Sequence, residues 1–248
     1  MLAIIGGSGL SQMTNLQITH RQVMRTPYGE PSGALTFGTL CGHEVIFLAR
    51  HGYGHTIPPH RVNYRANLWA LRDQHVKRVV SVASVGGIRA DLTPGTLVIP
   101  NQIIDYTYGR EFTYFDVQDT PITHIDFTHP YTSSLRQQLL RAVSLAGESC
   151  VDGGVYAAVQ GPRLETAAEI DRYERDGADM VGMTGMPEAA LARELGLDYA
   201  AIAAVVNYGA GRGDSHEMVS MASVAQVSHA VMGRVRHILE SLVECDAD

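Results

Sequence analysis

The stretch Leu2-Ala3-Ile4-Ile5-Gly6-Gly7-Ser8-Gly9 reads as a short apolar strand running directly into a glycine turn. An unbroken apolar run of this length suits a strand buried on both faces, as in parallel sheets covered by helices. Similar runs recur at residues 45–49, 79–83, 96–99, 156–159 and 201–206. Between several of them lies helical spacing. Segments 62–71 and 135–145 each carry one apolar face, and 187–195 opens on Pro187 and closes at Gly196. Near the end, Val224, Val227, Val231, Val235, Ile238 and Leu242 follow three- and four-residue steps, a stripe expected to pack on the body. Alternating strands and helices predict an α/β protein with a mixed, mainly parallel, twisted sheet flanked by helices. No linker, charge run or internal repeat divides the chain. Residues 1–248 are therefore expected to form one domain.

Of the 248 residues, 45% are hydrophobic and 18% charged, the latter below the roughly 25% usual for soluble domains. That leaves ample material for a core and a large uncharged surface or interface. The net charge of −7 opposes a nucleic-acid or acidic-membrane partner, because phosphate backbones demand a basic footprint. No apolar run reaches the roughly 18 residues of a membrane span, and the opening residues lack the basic and apolar regions of a signal peptide. A cytoplasmic protein is expected. Cys41, Cys150 and Cys245 fit neither a disulfide framework nor a zinc knuckle. Residues 109–130 are rich in aromatic and polar side chains, including Phe112, Tyr114 and His124, without a helical or strand period. A loop this long is usually functional or interfacial. It fits an oligomer in which a neighbour lends the loop to a site.

Four segments carry groups suited to chemistry. In Gly6-Gly7-Ser8-Gly9, glycines let the backbone approach a ligand, and the N–H groups with the Ser8 hydroxyl form an anion nest; a plain tight turn is the alternative. The spacing is not a dinucleotide fingerprint, since the third glycine position falls on Gln12. After a second strand, Arg50 supplies a planar cation for phosphate oxygens and His51 a donor beside it. His51, His55 and His60 lie close in sequence, but no acidic ligand accompanies them at zincin spacing, so no metal is expected. Ala83 and Ser84 sit at the end of a third strand. Thr184 precedes a helix, where it would be either a cap or an anion contact. Together these predict a site for inorganic phosphate at the carboxyl ends of neighbouring strands.

These motifs resemble the nucleoside phosphorylase family, and within it the methylthioadenosine phosphorylase branch of trimeric enzymes. The resemblance runs through Gly6-Gly7-Ser8-Gly9, Arg50-His51-Gly52, His55-Thr56-Ile57, Val62-Asn63-Tyr64, Ser84 to Arg89, Gly161-Pro162-Arg163, Met183-Thr184 and Pro187-Glu188. It implies a homotrimer without metal or other cofactor, which splits a purine nucleoside with inorganic phosphate in purine salvage. The matching phosphate positions are Ser8, Arg50, His51, Ala83, Ser84 and Thr184, with contact at Ala83 limited to backbone. Met183 matches the ribose-holding residue and Asn207-Tyr208-Gly209 the purine-reading loop. His124 matches a histidine that reaches a neighbouring subunit's site.

Two departures bear on the substrate. The methylthioadenosine pattern has Asp where Asn207 and Gly209 stand and Ser where Glu165 stands. Here the residues resemble those of 6-oxopurine enzymes. A 6-oxopurine presents an acceptor at O6 and a donor at N1–H. Ionised Glu165 accepts from N1–H, and Asn207 can donate to O6 while accepting from a protonated N7. Alternatively, Glu165 is only an exposed first-turn helix residue. Where enzymes of ordinary nucleosides place a histidine for the 5′-hydroxyl, this chain has Met221, with Met218 as the competing position. An apolar, adaptable Met suits a methylthio group. The combination implies S-methyl-5′-thioinosine as substrate, giving hypoxanthine and 5-methylthioribose 1-phosphate, with Asn207 stabilising the leaving base. Methylthioadenosine or broader 6-oxopurine phosphorolysis, a hydrolytic nucleosidase and a nucleoside sensor are the alternatives.

Overall fold

A computed structural model describes residues 1–10, 12–116 and 122–245. Its strands are β1 (Leu2–Gly6), β2 (Gln17–Gln22), β3 (Leu35–Leu40), β4 (His43–Ala49), β5 (Arg78–Gly87), β6 (Leu97–Ile99), β7 (Gln102–Asp105), β8 (Val151–Asp152), β9 (Val155–Ala158), β10 (Met180–Gly182) and β11 (Asp198–Tyr208). The helices are α1 (Tyr64–Asp73), α2 (Ser133–Leu145), α3 (Ala167–Arg175), α4 (Gly185–Glu194) and α5 (Met221–Cys245). One sheet runs in the order β2-β3-β4-β1-β5-β10-β9-β7, and β11 joins it by pairing with β5 and β6. Strands β4, β1, β5 and β11 are mutually parallel where they pair, whereas β10 runs against β5. The result is the expected mixed, mainly parallel sheet between helices.

Every residue of β1 is buried, as its uninterrupted apolar run requires. One core layer places β1, β4, β5 and β11 against α2 and α5, with Val231, Val235, Ile238 and Leu242 of the expected stripe buried there. A second layer sets the opposite faces of these strands against α1 and α4. Helix α4 contains one extended residue, Met186 (φ −121°, ψ 141°), so regular helix starts at Pro187, a favoured first-turn position.

The loop after β7 is only partly what its composition suggests. Phe112 and Ile122 are exposed, but Tyr114 is buried and donates to the Arg65 carbonyl at 2.7 Å. Thr113 Oγ1 and the Tyr114 amide both donate to Glu194, at 2.8 and 2.7 Å, which fastens this part of the loop to α4. Tyr114 is thus packed into the core of its own chain. Residues 117–121 of that loop lie outside the described residues.

Candidate active site

A cavity of about 610 Å³ opens where the segments after β1, β4 and β10 meet the C-terminal parts of β5 and β11. Its size is that of a small-molecule site. Ser8, Arg50, His51, Ala83, Ser84 and Thr184, expected to hold phosphate, all line it. Gly7 permits the turn after β1 to lie close against β5 and the Arg50 guanidinium: a Cβ on it would sit 2.6 Å from the Val82 carbonyl and 2.8 Å from Arg50 Nη1.

Arg50 is fully buried, and most of its donors are committed to protein. Nε donates to Glu188 Oε2 (2.6 Å), Nη2 to Glu188 Oε1 (2.9 Å) and Ser81 Oγ (2.6 Å), and Nη1 to the Val82 carbonyl (3.0 Å). A guanidinium has five N–H groups, so one on Nη1 remains for a ligand. The bidentate fork goes to Glu188, so a ligand in the cavity could receive only a single charge-assisted contact from Arg50. Tyr199 Oη donates to Glu188 Oε1 at 2.8 Å and completes the pair. Ser84 Oγ donates to the Ser8 carbonyl at 3.1 Å, tying the turn after β1 to β5. Thr184 is buried at the cavity wall and makes no side-chain capping bond.

His51 differs from its expected role. Its Nδ1 lies 2.8 Å from the Ile57 carbonyl, an acceptor, so Nδ1 carries the proton. Burial and then the Arg50 charge lower its pKa to about 4. The ring is neutral near pH 7, which leaves Nε2 as an acceptor rather than the expected donor. A monohydrogen phosphate can fill that acceptor with its own O–H.

At another wall the cavity meets Glu165 and Asn207. Burial raises the Glu165 carboxyl above the ordinary carboxylate range, and Glu169 adds to this. Its neighbour Arg163 is occupied by Glu169, at 2.8 and 2.7 Å. Glu165 is therefore half-buried and faces the cavity rather than projecting as an exposed helix residue. Asn207 reaches the wall through an irregularity in β11. Val205 pairs with Val85 and Asn207 with Gly86, so Val206 is an extra residue. Such bulges re-aim side chains next to functional sites. Asn207 Nδ2 donates to the Tyr208 carbonyl at 2.6 Å, which leaves its second N–H and its Oδ1 free of that contact.

Tyr208 and Gly209, expected beside Asn207, are not on the cavity wall. The Tyr208 ring packs over Gly213, and the Gly209 amide donates to the Gly87 carbonyl at 2.7 Å. They support the segment carrying Asn207 from behind. His124 is exposed and also off the wall. Met183 lines the cavity. So does Met221 at the start of α5, whereas Met218 does not.

Sequence reading missed several contributors. Val224 and Ser228 follow Met221 at helical steps of three and four and also line the cavity, so this end of α5 is wall as well as core. Val224 belonged to the apolar stripe, and no periodicity distinguishes its two duties. Glu188 appeared only as part of a motif, because its partner lies 138 positions away.

The model of the phosphorylase superfamily matches residues 1–244, and the chain belongs to that superfamily. Within it, the chain is 51% identical to "Probable S-methyl-5'-thioinosine phosphorylase" of Pseudomonas syringae pv. tomato, with 96% of each chain covered. It is 45% identical to the 6-oxopurine nucleoside phosphorylase of Pyrococcus furiosus, over 85% of this chain and 80% of that one. Methylthioadenosine phosphorylase from Schistosoma mansoni in complex with adenine superposes with a TM-score of 0.94 at 32% identity, covering 99% of this chain and 91% of that one.

Proposed function

We propose that this chain is a pentosyltransferase that cleaves S-methyl-5′-thioinosine with inorganic phosphate, yielding hypoxanthine and 5-methylthioribose 1-phosphate. The observation that carries this reading is one cavity bearing Arg50 and Thr184 together with Glu165, Asn207 and Met221. A phosphate oxygen attacks C1′ while the bond to N9 breaks and the sugar passes through an oxocarbenium-like state. Arg50 and Thr184 orient the phosphate, and His51 Nε2 accepts its O–H. The base leaves with the N9 bonding pair and takes up a proton from water at N7; Asn207 accepts from that N7–H and donates to O6, and Glu165 accepts from N1–H. Positioning and fixed dipoles supply the rate, with no covalent intermediate.

The named relatives agree with both halves of the substrate: a methylthio sugar in one group and a 6-oxopurine in another. The phosphate positions, the base readers and the sugar-facing Met221 belong to this proposal, as do a cytoplasmic location and a homotrimer in which His124 completes a neighbour's cavity. The test is base release from methylthioinosine, methylthioadenosine and inosine, each with and without phosphate. Phosphate-dependent release with methylthioinosine preferred is expected. Release independent of phosphate would make the chain a hydrolase, and binding without release a sensor.

A further inference from the structure

Arg110 lies just after β7, in a loop the sequence marks as functional without saying how. Its side chain is buried, and all five of its N–H groups are used. Nε donates to Gln160 Oε1 at 3.1 Å. Nη1 donates to the carbonyls of Met183 (2.8 Å) and Met186 (2.6 Å), and Nη2 to those of Val159 (3.1 Å) and Gln160 (2.9 Å). The guanidinium also sits 5.6 Å over the Tyr64 ring, and Tyr64 Oη donates to the Pro59 carbonyl at 3.0 Å. Three walls of the cavity therefore meet at one side chain. Val159 and Gln160 lead to Glu165, Met183 and Met186 flank Thr184, and Pro59 belongs to the wall that follows His51.

We propose that Arg110 is a positioning residue, whose guanidinium fixes the base-reading loop, the phosphate and sugar segment and the third wall in one relation. The inference rests on the phosphorylase reading, because only a two-substrate reaction needs those walls held at a set distance. No carboxylate among the described residues pairs with Arg110. A buried cation without a carboxylate carries a desolvation cost that a neutral cross-link avoids. The cavity beside it assembles two species that welcome positive potential, phosphate and a departing purine. Only a planar fork reaches all these carbonyls together; a lysine keeps the charge and loses the geometry.

The test compares Arg110→Lys and Arg110→Met with the unaltered enzyme, well below each protein's melting temperature. Arg110→Lys is expected to lose about 100-fold in kcat, the cost of roughly 1 Å of misplacement, with little change in the KM for phosphate. Arg110→Met is expected to lose as much in kcat and to raise the phosphate KM on the order of 10-fold, because the focusing charge is gone. A folded Arg110→Lys with unaltered kcat overturns the proposal, as does a change confined to melting temperature. Should Arg110→Met not fold, Gln160→Leu removes the acceptor that Arg110 Nε shares with the Tyr108 amide, leaves the four bonds to carbonyls, and must still lower kcat. If the unaltered enzyme releases no base with phosphate, the functional reading fails independently. Arg110 is then judged by calorimetric binding of hypoxanthine, and equal affinity in Arg110→Lys and the unaltered protein overturns the positioning role.

Discussion

Arg50 and Glu188 face each other fork to fork, 2.6 and 2.9 Å apart across two hydrogen bonds, with neither side chain exposed. The cavity arginine is thus held by a carboxylate on α4 before any ligand arrives.

Arg50→Ala should act twice. Loss of one charge-assisted contact of about 1.5–3 kcal/mol raises the phosphate KM roughly 10- to 150-fold. Stranding Glu188 costs a further 3–5 kcal/mol or so of stability, seen as a lower melting temperature. The paired change Arg50→Met with Glu188→Leu should recover much of the stability and none of the phosphate affinity. A double variant with normal phosphate kinetics would remove Arg50 from the phosphate site.

His51 titrates at about 4 in the folded chain against an ordinary value of 6.5. Its folded pKa is lowered, so as pH falls below 6.5 the unfolded chain takes up the proton first. Stability is lost between pH about 6.5 and about 4, by on the order of 3 kcal/mol at most. Ring signals followed by NMR should show a midpoint near 4. A midpoint near 6.5 would restore His51 as a protonated donor.

Glu165 carries the opposite shift, a carboxyl raised by burial. It must be ionised to accept from N1–H, so turnover of methylthioinosine should fall on the acid side at a higher pH than an ordinary carboxyl would give. Glu165→Gln should abolish that acid limb and lower kcat/KM at neutral pH about 5-fold, because the amide oxygen still accepts from N1–H but without the charge, a loss of roughly 1 kcal/mol. An unchanged acid limb in this variant assigns it to another group.

Asn207→Asp with Glu165→Ser should move activity from methylthioinosine towards methylthioadenosine and keep the preference for the methylthio sugar. Gly209→Asp is best left out, because its Cβ would lie 3.2 Å from Ile170 Cδ1 and 3.3 Å from the Gly87 carbonyl. Met221→His alone should improve inosine relative to methylthioinosine without touching base preference. Should base preference change instead, Met221 does not face the sugar.

Light scattering at micromolar concentration should report a trimer. Phe112 and Ile122, both exposed in the single chain, should become protected on assembly, and His124→Ala should lower activity without splitting the trimer. A fully active monomer would take His124 out of the reaction.

Much of the fold was readable because β1, β4 and β5 are buried on both faces and so appear as apolar runs. The exposed β2 and the three-residue β10 carry no such signal, since neither exposure nor three residues make a period. At the site, residues in contiguous motifs were legible and came together: Ser8, Arg50, Ser84 and Thr184. What could not be read were pairings across the chain. Glu188 looks like any helix glutamate until β4 and α4 pack, and Arg110 like any loop cation until five acceptors surround it. The proton on His51 was equally hidden, because it depends on the Ile57 carbonyl.

The additional residue in β11 works as a change of reading frame within a strand. Up to Val205, side chains alternate in step with β5; past Val206 the alternation is displaced by one, and Asn207 faces the cavity opposite Gly86. Substituting residue 207 therefore changes the cavity wall and leaves the packed half of the strand untouched. Removing Val206 would instead exchange inside for outside over every position after it. The recognition end of the strand and its structural end can thus vary separately, provided the chain keeps its count.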